Sequence, residues 1–543
     1  MTVAAYGARA VSRRRSSVGM SRRGRLLASF AFLALVPLLA LPLVSRTPIL
    51  GLCTAVFTVA VSAALGGIIM VRLRAGTFDL FEPVIFLPGY LLVIFGLATI
   101  PFILPLQPSS VSQVYPFWVN GLQPGTIAVV ELVAAAATLL FMGAYLSSAK
   151  WLPLGTRVPS MLLGQRRLNL PRLALVFAVG LAAKLYLLRS GYIVGAGNAF
   201  IPVNSGYLEW VQLASQMTLY AMVLLALYIL RNRPKDRRLW YLLWGMLAVN
   251  VLTGAAYGSK QVLLEGIEVL IVAWWYSRRR LPPQLLAGLV LVAMVAFVVI
   301  PAYRQNVGQG AGTSTGSCTS GSCQFGTASV NPISALTSAT GSIFLGKSIP
   351  DLLATDAWSI SRRLALAPDF GLAYQYTPSL GNPYLLGRDY LWALPEAFIP
   401  RAIWPNKPSP VNGLYFSIHY AGLPTNTTSS TSITWLGDLY MNFGLVGTLL
   451  GMCAMGVFFA WWYATFRRNF SMQTILIYAA AIPVIMNFEP TVPAVLTGLM
   501  RDLIILLAML WFTFPPAIEE STSVRSRLAM SRRRMAGLLE ANR

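Results

Sequence analysis

The strongest chemical feature of this sequence is a set of cations on a chain with little freedom to move. Residues 398–408 read Phe398-Ile399-Pro400-Arg401-Ala402-Ile403-Trp404-Pro405-Asn406-Lys407-Pro408. Each proline fixes its own φ, so Arg401 and Lys407 sit on a stiff loop. Preorganised donors of that kind stabilise an anion as it forms. Arg304 follows an apolar stretch in Tyr303-Arg304-Gln305-Asn306, and Arg388 lies in Gly387-Arg388-Asp389-Tyr390. Lys260 falls in the turn Gly258-Ser259-Lys260, and Arg501 comes shortly after a turn between two apolar runs. Arginine binds phosphate through two parallel hydrogen bonds and keeps its charge. Together these residues point to one anionic ligand, with Trp404, Asn406 and His419 completing the candidate binding set.

Candidates for proton transfer are fewer. Asp438 opens a long apolar run, and His419 and Glu489 are its rivals. His419 is the only histidine of the chain, which excludes a histidine-rich metal site. There is no phosphate-binding glycine loop, no dinucleotide turn and no HExxH. No cofactor and no metal is expected. Cys318 and Cys323 are expected to form a small loop disulfide, while Cys53 and Cys453 fall inside apolar runs as inert thiols.

These groups must be positioned by a membrane-embedded frame. Hydrophobic residues make up 56% of the 543, charged residues only 11%, and mean hydropathy is +0.63. Soluble domains carry about 25% charged residues. The net charge of +24 suggests nucleic acid, but most of the Lys and Arg fall in the termini and alternate short loops. That asymmetry orients a membrane protein with its basic loops in the cytoplasm, and no base-reading motif accompanies it. Nucleic acid is therefore not an expected partner.

The apolar pattern predicts an all-α polytopic protein of about twelve transmembrane helices. The spans are 26–44, 49–71, 82–104, 125–147, 173–190, 207–230, 239–257, 261–277, 283–301, 435–463, 474–490 and 494–514. Ser21-Arg22-Arg23 before the first resembles a twin-arginine signal, but its length and the spans that follow favour a first helix. Residues 1–25 and 515–543 are then basic cytoplasmic ends, and 26–301 and 435–514 are membrane domains. Residues 302–434 form one large external loop between spans nine and ten, too long to be structureless. Within it, 349–367 is predicted helical, and 376–416 reads as turns and short helices against the membrane surface. Charged residues inside spans, Glu131, Glu265, Glu268 and Lys184, are expected to pair between helices or to snorkel.

Ile399-Pro400-Arg401-x-x-Trp404-Pro405-x-Lys407-Pro408 is followed by Leu436-Gly437-Asp438-Leu439-Tyr440-Met441-Asn442-Phe443-Gly444. With the Gly387-Arg388-Asp389-Tyr390 turn and the late external loop, this pattern resembles the O-antigen polymerase (Wzy), or oligosaccharide repeat-unit polymerase, family. The motif resemblance covers about residues 385–450. The spacings Arg304 to Gly316 and Arg401 to Gly413 are each one residue longer than the Arg-x10-Gly described for some members.

The resemblance implies a GT-C-like membrane glycosyltransferase of the bacterial inner membrane with both termini cytoplasmic. It would move a growing glycan from polyprenyl diphosphate to the hydroxyl of a lipid-linked repeat unit, among membrane lipids and with a chain-length regulator as a further implied partner. Arg304 and Arg401 would grip the diphosphate, supported by Lys260, Arg388, Lys407 and Arg501. Asp438 would be the candidate base, although an oxocarbenium-like transition state needs none. An O-antigen ligase shares the donor but not the acceptor. A flippase or other transporter would show two related halves, which this chain lacks. A metal-dependent sugar transferase would carry acids in its first external loop, which here is Arg46-Thr47-Pro48.

Overall fold

The computed structural model describes residues 38–103, 122–151, 168–189, 206–292, 318–323, 364–404, 413–423 and 431–515, apart from short interruptions within them. The chain is an all-α, multi-span membrane protein. Its helices are α1 (Pro48–Arg74), α2 (Pro83–Leu91), α3 (Pro124–Trp151), α4 (Leu170–Arg189), α5 (Gly206–Ser215), α6 (Met217–Asn232), α7 (Arg237–Ala256) and α8 (Lys260–Arg278). After them come α9 (Ala367–Tyr376), α10 (Arg388–Phe398), α11 (Gly413–His419), α12 (Trp435–Arg468), α13 (Met472–Met486) and α14 (Val492–Thr513). A two-stranded ribbon, β1 (Cys318–Thr319) and β2 (Ser322–Cys323), places Cys318 opposite Cys323. That register suits the expected disulfide; the two side chains lie outside the described residues.

Seven helices are long and apolar enough to cross a membrane among the described residues. Ten of the expected spans coincide with helices, while 26–44 and 283–301 lie largely outside the described residues. Local signals set several boundaries. Ser471 and Thr474 form a capping box at the start of α13, and Asp236 caps α7.

The basic residues gather at one end of the bundle, around a buried carboxylate. Asp79, fully buried between α1 and α2, accepts hydrogen bonds from Trp275 Nε1 at 2.8 Å and Tyr463 Oη at 2.7 Å. Arg279 and Arg467 approach its Oδ2 at 3.3 and 3.7 Å. Beside it Arg72 reaches Glu82 at 2.6 Å. Burial raises the Glu82 carboxyl above its ordinary range, against the opposing pull of the Arg72 charge. The loop 75–82 is thereby tied to the ends of α8 and α12.

Inside the bundle Lys184 lies beside the same cavity as Glu265 and is hydrogen-bonded between helices. Its Nζ donates to Asn250 Oδ1 at 2.7 Å, an oxygen that also accepts from Thr218 Oγ1. Glu131 accepts from the Thr54 hydroxyl, tying α3 to α1. A polar cavity of about 60 Å³ lies between Lys184, Gln216, Asn250 and Glu265, room for roughly four to six waters.

The far end departs from the expectation of straight spans capped by a surface loop. Drawn straight, the 34 residues of α12 would run about 50 Å, far beyond a hydrocarbon core of about 30 Å. The helix instead breaks at Gly444, with φ 67° and ψ −162°, and residues 435–443 fold back along the stretch after the break. Trp435 stacks near Phe459 at 6.4 Å between centroids, and Leu439 and Phe443 fill the spaces over Gly451 and Gly447. A Cβ on Gly451 would stand 2.5 Å from Leu439 Cδ2, and one on Gly447 would overlap the Phe443 side chain. The glycines therefore serve packing within a helical hairpin. Gly456 lets the long arm approach the backbone of Phe141 on α3.

The segment between spans nine and ten packs against the bundle helices. Helix α2 continues through a π-turn, Leu92–Leu97, and the Ile94 carbonyl accepts the Leu366 N–H at 3.1 Å. From there α9 rises to Gln375, whose Oε1 meets Thr126 at the start of α3. Most of the helix expected at 349–367 lies outside the described residues, and the helix observed is 367–376.

Asp79→Ala should leave two arginines and two neutral donors facing a gap. We expect a loss of about 3 kcal/mol or more, read as a lower thermal midpoint of the detergent-solubilised protein. Gly447→Ala should force the hairpin apart at about 1–3 kcal/mol and expose residues 376–404 to protease. Unchanged proteolysis would show that the fold-back is not held there.

Candidate functional site

At the far end the site is organised by Asp438, one turn into α12. The residue is fully buried. Its Oδ2 accepts from Tyr390 Oη at 2.7 Å and from the Val492 N–H at 3.1 Å. Its Oδ1 accepts from Asn442 Nδ2 at 3.2 Å. Asn442, one turn further on, offers its own Oδ1 to the Gly387 N–H at 3.0 Å. Val492 opens α14, so a carboxylate there also faces the positive end of a helix dipole. Among the described residues no Lys or Arg reaches Asp438. The group joins three elements: α12, α14 and the external helix α10.

The same junction completes a broken backbone. Where α12 stops at Gly444, the Met441 and Asn442 carbonyls accept the N–H groups of Leu385 and Leu386 at 3.0 and 3.1 Å. Gly387 has φ +78° and its missing Cβ would lie 2.9 Å from Phe443 Cζ, so this turn needs glycine. A Cβ on Gly444 would meet Tyr384 Oη at 3.2 Å.

From this anchor α10 runs beside α14. Tyr390 meets Asp438 next to Val492, and three residues later the Ala393 carbonyl accepts from Thr497 Oγ1 at 3.2 Å. Arg388, at the start of α10, has its side chain 65% exposed and only a 3.4 Å contact to Asp389. Trp404 lies beyond α10 with its ring 5.6 Å from that of Trp392. The 398–408 stretch thus leaves from a helix fixed against a membrane helix.

The other candidates are spread differently. Arg501 lies nine residues into α14, about 14 Å along the helix axis, next to Asp502, which is hydrogen-bonded to Tyr220. His419 ends α11, exposed and stacked on Tyr415 at 4.1 Å. Arg304, Arg401, Asn406 and Lys407 lie outside the described residues, as does the side chain of Lys260, whose backbone starts α8. The structure therefore brings Asp438 and the Arg388 turn together, and leaves His419 on a separate helix.

Three participants were not read from the sequence. Tyr390 and Asn442 both stand in the quoted motifs, and Asn442 follows Asp438 at the i, i+4 spacing of one helix face. Asp369 looked like an ordinary first-turn carboxylate on α9. Burial and the neighbouring Glu489 charge hold its carboxyl well above the usual range. Glu489 itself uses its backbone carbonyl to accept the Ile433 and Thr434 N–H groups at 2.9 and 3.1 Å. Among the described residues no group of three His, Cys, Asp or Glu is placed to hold a metal ion.

The fold defines an all-α, multi-span membrane protein. No protein-family model matches the chain, and neither does any curated protein or solved structure.

The three donors on Asp438 make it a positioning group for α10. Asp438→Ala strands them at roughly 1–3 kcal/mol each and should speed tryptic cleavage after Arg388. Asp438→Asn keeps one acceptor and should be intermediate in both stability and cleavage. An Asn variant that melts and resists trypsin like the parent, yet has lost all function, would instead mark Asp438 as a reacting group.

Proposed function

We propose that the protein is a polysaccharide polymerase, working on the outer face of a bacterial inner membrane with its basic end in the cytoplasm. The donor is a glycan on polyprenyl diphosphate and the acceptor is a lipid-linked repeat unit. The observation that carries this reading is the anchoring of the motif segment. Asp438 and the broken end of α12 hold α10, the helix that precedes the Pro-Arg-x-x-Trp-Pro stretch in sequence, beside α14.

In the reaction the acceptor hydroxyl oxygen attacks the anomeric carbon. The bond from that carbon to the diphosphate oxygen breaks, and the electron pair leaves with polyprenyl diphosphate. The hydroxyl proton passes to solvent or to a carboxylate, Asp438 or Glu489. Arg401 and Arg304 neutralise the leaving group, with Arg388 at the mouth and Lys260, Lys407 and Arg501 in support. Arginine suits this work because its planar fork binds two phosphate oxygens at once. Membrane surroundings exclude water and strengthen each such contact. The donor is already activated, so no nucleotide is required.

The test is glycan analysis of a deletion strain complemented with the parent, Arg401→Ala, Arg304→Ala or Arg388→Ala, with membrane levels of each protein checked. Arg401→Ala and Arg304→Ala should leave single repeat units on the carrier and cut polymerisation about 100-fold. Arg401→Lys should recover only part of it. Full-length polymer from both stable alanine variants would remove the proposal. Polymer retained on the lipid carrier without transfer would identify a ligase, and repeat units trapped on the cytoplasmic face a flippase.

A further inference from the structure

We infer that α10 is a re-entrant helix whose outward side lies in the acyl chains of the bilayer, although it belongs to the segment between two spans. The first argument is what it covers. Along α14 the residues from Val492 to Leu503 are buried or half-buried, whereas Ile504, Leu507 and Trp511 are exposed at 42, 38 and 62%. The second half of α14 thus presents an ordinary lipid-facing side, and α10 takes that place over the first half.

The second argument is the side α10 turns outward. Leu391 is 78% exposed, Trp392 42%, Phe398 55% and Ile399 37%, and Ile403 just beyond is 76% exposed. Positions 391, 392, 398 and 399 recur at i, i+1, i+7 and i+8, one stripe of a helix. Its opposite side carries the groups that bind inward: Asp389, Tyr390 and Ala393. A stripe of that size facing water would be a large unpaid hydrophobic exposure; facing hydrocarbon it is continuous with Ile504, Leu507 and Trp511.

The third argument is direction. Contacts at Tyr390 and Ala393 follow the same order as Val492 and Thr497, so α10 descends along α14 instead of lying flat. Its backbone can enter hydrocarbon because it is helical, and its non-helical approach at Leu385 and Leu386 is paired with Met441 and Asn442. The inference does not depend on glycosyl transfer.

Single cysteines at Leu391, Phe398 and Gly381, in a full-length chain with Cys53, Cys318, Cys323 and Cys453 replaced, can carry a small fluorophore in reconstituted vesicles. Quenching by nitroxides at two depths on the lipid chains is compared with quenching by iodide. We expect Leu391 and Phe398 labels to be quenched several-fold more by lipid nitroxides than by iodide. Phe398 should lie deeper than Leu391, since seven residues of helix span about 10 Å. Exposed Gly381 should answer to iodide. Equal depths at Leu391 and Phe398 would overturn the re-entrant path. Iodide quenching like that of Gly381 would place α10 in water, and protection from both quenchers would assign the stripe to another protein surface; either result overturns the proposal.

Discussion

A peptide group in hydrocarbon must find its hydrogen bond inside the protein, and the far end of this molecule is arranged around meeting that demand away from a regular helix. Two helices break there. The π-turn in α2 leaves Ile94 with a carbonyl that Leu366 satisfies, and the break at Gly444 leaves Met441 and Asn442 to be satisfied by Leu385 and Leu386. Both sets of donors come from the segment between spans. Membrane helices and inserted segment therefore depend on each other: without the insert the breaks are unpaired, and without the breaks the insert has no partner for its own extended backbone.

Two buried carboxylates fix the two ends, by different means. Asp79 lies at the basic end with two arginines and two neutral donors, so its charge is matched where water and headgroups are near. Asp438 has only neutral donors and a helix N-terminus. Three hydrogen bonds and an aligned helix dipole partly oppose the cost of burying this acid. The absence of a close cation at Asp438 among the described residues leaves Arg388 free to face outward instead of being tied inward.

The span pattern was legible because apolar length alone defines a helix in lipid, and ten expected stretches coincide with helices. The hairpin was not, since the run 435–463 is apolar on both arms and hydropathy is blind to direction. Its signal was the glycine series 444, 447 and 451, which reads equally as packing between helices. The inserted segment was hidden for a related reason: α9 and α10 are too short to register as spans, and their polar inward groups look like those of a surface loop. Asp438 stood out as an acid in an apolar run, but two of its three partners, Tyr390 and Val492, come from about fifty positions away in either direction.

Such an arrangement is suited to an anion carried on a lipid. A diphosphate attached to a prenyl chain rests near the headgroups, so cations that hold it must approach from within the membrane edge without bringing unpaired backbone with them. A free loop meets the first need and fails the second, while a plain bundle does the reverse. An amphipathic helix pinned through Tyr390 to a buried acid, with one side in lipid and an exposed arginine at its mouth, meets both. On the polymerase reading this explains why the cationic motif follows α10 directly: a stiff proline-bound loop is useful only if the helix before it cannot slide, and Asp438, Asn442 and Thr497 are the groups that stop it from sliding.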